Sequence, residues 1–76
     1  MLELYTMEIC PYCKKVKAYF AQNGIEYKEC NVDNEQYANE LMKLGGKPQV
    51  PFLADKDNNV YMYESDKIIE YVQKRA

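Results

Sequence analysis

The 76-residue sequence predicts a three-layer α/β domain with the order β-α-β-α-β-β-α. Three observations predict it. Four short runs, around residues 2–6, 25–32, 50–54 and 60–63, have strand length and either continuous or alternating apolar character. Three longer segments carry apolar residues at helical spacing. A strand, a helix and a strand within the first 32 residues imply a parallel crossover, whereas the short link between the last two strands implies an antiparallel hairpin.

Leu2, Leu4, Tyr5 and Thr6 form the first strand, expected at the centre of the sheet. Helical spacing starts after Cys10: Cys13, Val16 and Phe20 share one stripe with Tyr19 beside it, and Lys14, Lys15 and Lys17 face away. Pro11 suits the first turn, where its missing N–H costs nothing. Asn23-Gly24 ends the helix with a residue fitted to the left-handed position. Ile25 to Val32 alternates, with Cys30 and Val32 on one face and Tyr27 and Glu29 on the other.

Asp33 opens the next helix, with Gln36 as its capping-box partner; Tyr37, Leu41 and Leu44 form its stripe and Gly45-Gly46 stops it. Pro48 and Pro51 enclose Gln49-Val50 and exclude regular helix there. Val50 to Ala54 and Val60 to Tyr63 are the two hairpin strands, joined by the turn-rich 55–59. Ser65 N-caps a last helix that turns Ile68, Ile69 and Val72 inward, and Met42 and Met62 fill core gaps.

One domain, residues 1–76, accounts for this length. Ten Lys+Arg against twelve Asp+Glu give a net charge of −2, with no basic cluster, which excludes nucleic acid as a partner. No apolar run approaches the roughly 20 residues a bilayer requires, and Met1 to Tyr5 lack the basic and apolar regions of a secretory signal. The expected compartment is a reducing cytoplasm, with no membrane partner.

Three cysteines and no histidine make a poor start for a disulfide scaffold or a zinc site. Cys10 and Cys13 are paired by spacing and Cys30 stands alone on the core face of its strand, as a small buried hydrophobe. Cys10-Pro11-Tyr12-Cys13 falls between a strand and the first turn of a helix. Unpaired N–H groups and the positive end of the helix dipole surround Cys10 and favour its thiolate. Acidifying such a thiol raises its ionised fraction but lowers its nucleophilicity, so the chief gain is a better leaving group. Cys13 lies one turn further in and more buried. Cys10 therefore attacks and Cys13 resolves. The other reading of C-x-x-C, half of a zinc knuckle, lacks its second pair.

At this point the sequence resembles a glutaredoxin of the dithiol type, within the thioredoxin superfamily. Cys10-Pro11-Tyr12-Cys13, Val50-Pro51 and Ser65-Asp66 carry the resemblance, in the family's order and approximate spacing over essentially the whole chain. It implies the thioredoxin-like fold, a four-stranded mixed sheet flanked by three helices. It also implies glutathione as reductant, no tightly bound cofactor and no metal. Disulfide-bonded or glutathionylated proteins would be the substrates of a monomeric enzyme.

Placed on residues, the resemblance makes Pro51 a cis-proline facing the site, and Val50 the donor and acceptor for the cysteine of glutathione. Ser65 and the helix start would take the γ-glutamyl carboxylate and Asp66 its amino group, while Tyr12 would flank the tripeptide. Two departures stand out. Tyr63-Glu64 replaces the Gly-Gly of many glutaredoxins, and Glu64-Ser65 looks like the acid–serine pair of glutathione transferase N-terminal domains. Met7 stands where relatives often place a lysine, leaving Lys47, with Gln49 beside it, for the glycine carboxylate and Lys14 to favour the thiolate.

Two other functions fit the fold. One is a redoxin reduced by thioredoxin reductase that serves ribonucleotide reductase, against which Ser65-Asp66 and C-P-Y-C argue mildly. The other is a dimer holding a [2Fe-2S] cluster through two glutathiones, against which Pro11 and the second cysteine argue.

Overall fold

Leu2–Thr6 forms strand β1, and the sheet assembles on both of its edges. The computed structural model describes residues 1–75. Strand β2, Tyr27–Asn31, pairs parallel with β1, from Leu2 opposite Tyr27 to Thr6 opposite Asn31. Strand β3, Phe52–Asp55, runs antiparallel along the other edge with Leu4 opposite Leu53, and β4, Val60–Tyr63, continues antiparallel with Leu53 opposite Met62. The order β2-β1-β3-β4 is the expected four-stranded mixed sheet, and it has the thioredoxin-like architecture.

Three helices cover it: α1, Pro11–Gln22; α2, Glu35–Gly45; and α3, Ser65–Arg75. The alternation of β1 divides the core. Leu2 and Leu4 meet Val16 and Phe20 of α1, Leu53 of β3, and Ile68 and Val72 of α3. Tyr5 points the other way, into Cys30, Leu41, Phe52 and Ala54 under α2. Phe20 and Tyr27 meet edge to face at 5.0 Å, as do Tyr5 and Phe52 at 5.6 Å. No helix of the described residues is long and apolar enough to cross a membrane.

Several boundaries differ from expectation for local reasons. β2 starts at Tyr27 rather than Ile25, because the Ile25 N–H donates to the Phe20 carbonyl (2.9 Å) and closes α1 instead. Asn34, not Asp33, caps α2: its side chain accepts from Gln36 N–H at 2.9 Å, while Asp33 N–H is drawn to Asn31 Oδ1. β3 starts at Phe52, after Pro51, which has no N–H for the ladder. The hairpin link contains a 3-10 turn, Lys56–Asn58, closed by Asn59 at φ 57°. Ser65 is the first helical residue rather than the cap. The carbonyl of Glu64 takes the first helical bond, from Ile68 N–H at 3.1 Å. Met42 is 44% exposed, not a core filler, whereas Met62 packs on the α1–α3 side. Lys17 is half-buried and reaches back to Glu29 Oε2 at 2.9 Å, so it does not simply face away.

Asp55 is the one acid among the buried described residues. It accepts from Tyr71 Oη of α3 and from Asn58 Nδ2, tying the hairpin to the last helix. Those hydrogen bonds, Tyr71 first, hold its carboxyl below the usual carboxylate range. A depressed carboxyl contributes stability above its unfolded value near 3.9, and that contribution is lost as pH falls through the folded value. Asp55→Asn is therefore expected to lower stability at pH 7 and to flatten its dependence on pH below about 4, read by urea unfolding at several pH values. In the core, Ile68→Val should cost about 0.5–1.5 kcal/mol with an unchanged urea m-value, whereas Met42→Ala should stay within about 0.5 kcal/mol.

Candidate active site

The register places three chain segments at one edge of the sheet. Tyr5 of β1 lies opposite Phe52 of β3, and Phe52 opposite Tyr63 of β4. β1 ends at this edge, antiparallel β3 begins there, and β4 ends there. The loop to Cys10, the Val50-Pro51 pair and the Glu64-Ser65 joint therefore emerge side by side, although the last two lie 40 to 55 positions beyond Cys10 in sequence.

Cys10 is the N-cap of α1. Its N–H donates to the Met7 carbonyl at 3.2 Å, and its carbonyl accepts from Lys14 N–H at 3.2 Å. Its sulfur accepts from the N–H of Cys13 at 3.1 Å, taking one of the helix's orphan donors. Pro11 occupies the first turn as expected. Cys10 is half-buried and Cys13 is fully buried on the inward stripe with Val16 and Phe20. Burial, with the Cys10 side chain in support, pushes the Cys13 thiol up to about 12, and burial pushes Cys30 up to about 11. Two of the three thiols are thereby held protonated at neutral pH, and the half-buried sulfur at the helix start is the one open to attack.

A cleft of about 470 Å³ is lined by Tyr12, two residues on from Cys10, and by Gln49, Val50, Pro51, Glu64, Ser65, Asp66 and Lys67; neither Cys10 nor Cys13 is among its lining residues. That volume lies within the range of small-molecule sites. Seven of the residues singled out from the sequence stand on this one cleft. Val50-Pro51 is a cis peptide. Ser65 is buried at the start of α3, and its hydroxyl makes no hydrogen bond to another described residue. Asp66 Oδ1 holds Lys15 Nζ at 2.8 Å, an exposed pair that adds little stability. Lys47 is not on this cleft. It lines an adjoining recess of about 540 Å³ that shares Gln49, Glu64 and Lys67 with the first. Lys67 was not singled out, although its place two residues after Ser65 on the same first turn puts it at the cleft.

Glu64 sits at φ 73°, in the left-handed region that a glycine would take without cost. Its conformation turns the chain from β4 into α3 and brings Ser65 to the cleft. Near the cysteine pair in sequence, Ile9 and Tyr12 are large side chains left 81% and 64% exposed.

The comparisons with known proteins agree with this geometry. The family described as glutathione S-transferase, N-terminal domain, matches residues 4–76. Glutaredoxin 3 of Escherichia coli (strain K12) is 37% identical over 51 residues, covering 66% of this chain and 61% of that protein. Glutaredoxin 2 of the same strain is 37% identical over 73 residues, covering 96% of this chain and 33% of that protein. The chain thus spans less than two thirds of the length of either relative. Among solved structures, a thioredoxin-like protein superposes with a TM-score of 0.82 at 24% identity, covering 97% of both chains, which is a likeness of fold.

The burial pattern makes a prediction about thiol reactivity. With thiols at about 12 and about 11, the thiolate fractions at pH 7 are on the order of 10⁻⁵ for Cys13 and 10⁻⁴ for Cys30. Iodoacetamide added to the reduced native protein at pH 7 should label Cys10 alone, and three cysteines should react after urea unfolding. Peptide mapping showing Cys13 labelled as fast as Cys10 would contradict this assignment.

Proposed function

We infer, for a chain that belongs to the glutathione S-transferase N-terminal domain family of the thioredoxin superfamily, a glutathione-dependent thiol–disulfide oxidoreductase. The observation that carries this reading is the N-capping Cys10 sulfur, bonded by the Cys13 N–H, beside a cleft built from Val50, Pro51, Ser65 and Asp66. Relatives named as glutaredoxins and the family's own name, which contains glutathione, support it.

In the proposed reaction, the Cys10 thiolate attacks one sulfur of a protein disulfide or a protein–glutathione mixed disulfide. The substrate S–S bond breaks, a Cys10 mixed disulfide forms, and the departing thiolate takes a proton from water. From there two routes lead back. Where the mixed disulfide is Cys10–glutathione, a glutathione thiolate attacks its glutathione sulfur, breaks the bond to Cys10 Sγ and leaves as glutathione disulfide with the Cys10 thiolate regenerated; otherwise Cys13 loses its proton, attacks Cys10 Sγ and releases the second substrate thiol. The Cys10–Cys13 disulfide so formed is reduced by two glutathiones, which leave as glutathione disulfide. The Cys13 route moves two electrons from two glutathiones to one protein disulfide, whereas the direct route consumes one glutathione, the other half of the glutathione disulfide coming from the substrate.

The Cys13 N–H stabilises charge on Cys10 Sγ both when it attacks and when it leaves. Burial holds the Cys13 thiol protonated in the reduced protein, and the direct glutathione route for small mixed disulfides does not require it. Val50 would bind the glutathione cysteine through its main chain, as an added strand does. The Ser65 hydroxyl and the first N–H groups of α3 would take the γ-glutamyl carboxylate. Asp66 would take the amino group with the oxygen that Lys15 leaves open, Tyr12 would cover the tripeptide, and Lys47, with Gln49, would meet the glycine carboxylate from the adjoining recess. Glu64 shapes the joint. We place the enzyme in the cytoplasm as a monomer without a tightly bound cofactor.

A coupled assay with NADPH, glutathione and glutathione reductase, using a small mixed disulfide, tests the reading. Cys10→Ser should be inactive, and Cys13→Ser should keep turnover of the glutathione mixed disulfide while losing reduction of protein disulfides. A wild-type protein inactive here but reduced by thioredoxin reductase would overturn the glutathione dependence.

A further inference from the structure

We propose that Tyr63 is a positioning residue for glutathione: its hydroxyl clamps the main chain of Lys47 and so fixes segment 47–51, one wall of the cleft. The proposal rests on the glutathione reading above and deepens it. Segment 47–51 lies between the C-terminus of α2 and the start of β3, without regular structure. Two of its five residues are prolines without an N–H, so it has little means of holding itself. Among the described residues it makes two hydrogen bonds to the rest of the chain, and both go to one atom. The Tyr63 hydroxyl accepts from Lys47 N–H at 3.0 Å and donates to the Lys47 carbonyl at 2.9 Å.

The clamp links the two walls. Tyr63 is the last residue of β4, and the next residues, Glu64 to Lys67, form the opposite side of the cleft. Val50 packs on the Tyr5–Phe52 cluster and Pro51 is buried, so the far end of the segment is held by the core, and the Tyr63 hydroxyl ties down its Lys47 end. Its ring is held by Phe52, at a centroid distance of 4.7 Å. It also fills space left by a missing side chain: a Cβ on Gly45 would overlap the Tyr63 hydroxyl and lie 2.7 Å from its Cζ. Gly45 is not at a positive φ, so backbone freedom does not require a glycine there; room for this phenol does. The same ring lies under Lys47 Nζ, 6.0 Å from the centroid, and so orients the ammonium over the adjoining recess.

A purely packing role for Tyr63 would reside in the ring, and the hydroxyl would be dispensable for binding. The clamp makes the hydroxyl the determinant. Without it, the Lys47 end of the segment must be ordered by the ligand, and that cost is taken from affinity. Two hydrogen bonds of ordinary strength, partly regained by water, correspond to a loss of about tenfold.

The test uses S-methylglutathione, which binds but cannot exchange disulfides, titrated into the reduced protein and followed by backbone amide NMR. Tyr63→Phe keeps the ring and is expected to raise the dissociation constant about tenfold, to speed hydrogen exchange at Lys47 N–H at least tenfold, and to leave the urea m-value unchanged. Gly45→Ala, which displaces the hydroxyl without removing it, should weaken binding in the same direction. Tyr63→Phe binding within twofold of the wild type, or weakened binding with Lys47 exchange unchanged, overturns the clamp while the glutathione reading stands. No binding of S-methylglutathione to the wild type overturns both.

Discussion

Burial of β1 on both faces is the constraint from which the other features follow. Leu4 and Tyr5 are adjacent and both fully buried, so the strand must have a covered layer on each side. Leu4 requires α1 and α3, and Tyr5 requires α2. A strand buried on both faces is also central, with neighbours on both edges, and those neighbours are of opposite sense. Parallel β2 leaves its edge after α1 has crossed over. Antiparallel β3 and β4 return their ends to the edge where β1 stops. The cleft exists because of that mixture of senses: an all-parallel sheet would have sent the start of β3 to the far end of the molecule.

The three thiols show how one residue type acquires three characters from place alone. Cys10 caps a helix and receives an N–H; Cys13 is one turn inside and has lost water; Cys30 lies under α2 against Tyr5 and Phe52. Burial acts on Cys13 and Cys30 in the same direction, and only the first has a partner sulfur beside it. Tyr5 follows the same rule, its phenol pushed up by burial and by neighbouring Glu3. Desolvation is thus the leading influence on the two buried thiols and on Tyr5, whereas at buried Asp55 the hydrogen bonds from Tyr71 and Asn58 outweigh it.

The joint between β4 and α3 carries the chain's departure from the glutaredoxin pattern. Where many glutaredoxins have two glycines, this chain has a tyrosine whose hydroxyl holds the facing loop and a glutamate in the left-handed region. The family match to glutathione S-transferase N-terminal domains falls on the side of that departure. Lys15 on Asp66 adds a further difference, since a carboxylate assigned to an amino group already holds one cation.

Periodicity and punctuation in the sequence were enough to determine the element order, the stripes Cys13–Val16–Phe20 and Leu41, the end of α1 at Asn23-Gly24, and the dithiol's place at a helix start. These depend on contacts within a turn or along a strand. Resemblance to a known family added the cleft residues on Pro51, Ser65 and Asp66, which no local pattern brings together. The limits of β2, the cap at Asn34 and the burial of Met42 depended on competition between neighbouring hydrogen bonds and on which face meets a partner layer. Lys67 at the cleft, Lys15 on Asp66 and the Tyr63 clamp on Lys47 were decided by tertiary structure alone. Each joins residues 16 to 51 positions apart, or on different walls, through the register Tyr5–Phe52–Tyr63 and the docking of α3 against α1. A one-residue slip in that register would turn Tyr63 to the opposite face and away from Lys47, and local sequence does not encode the register.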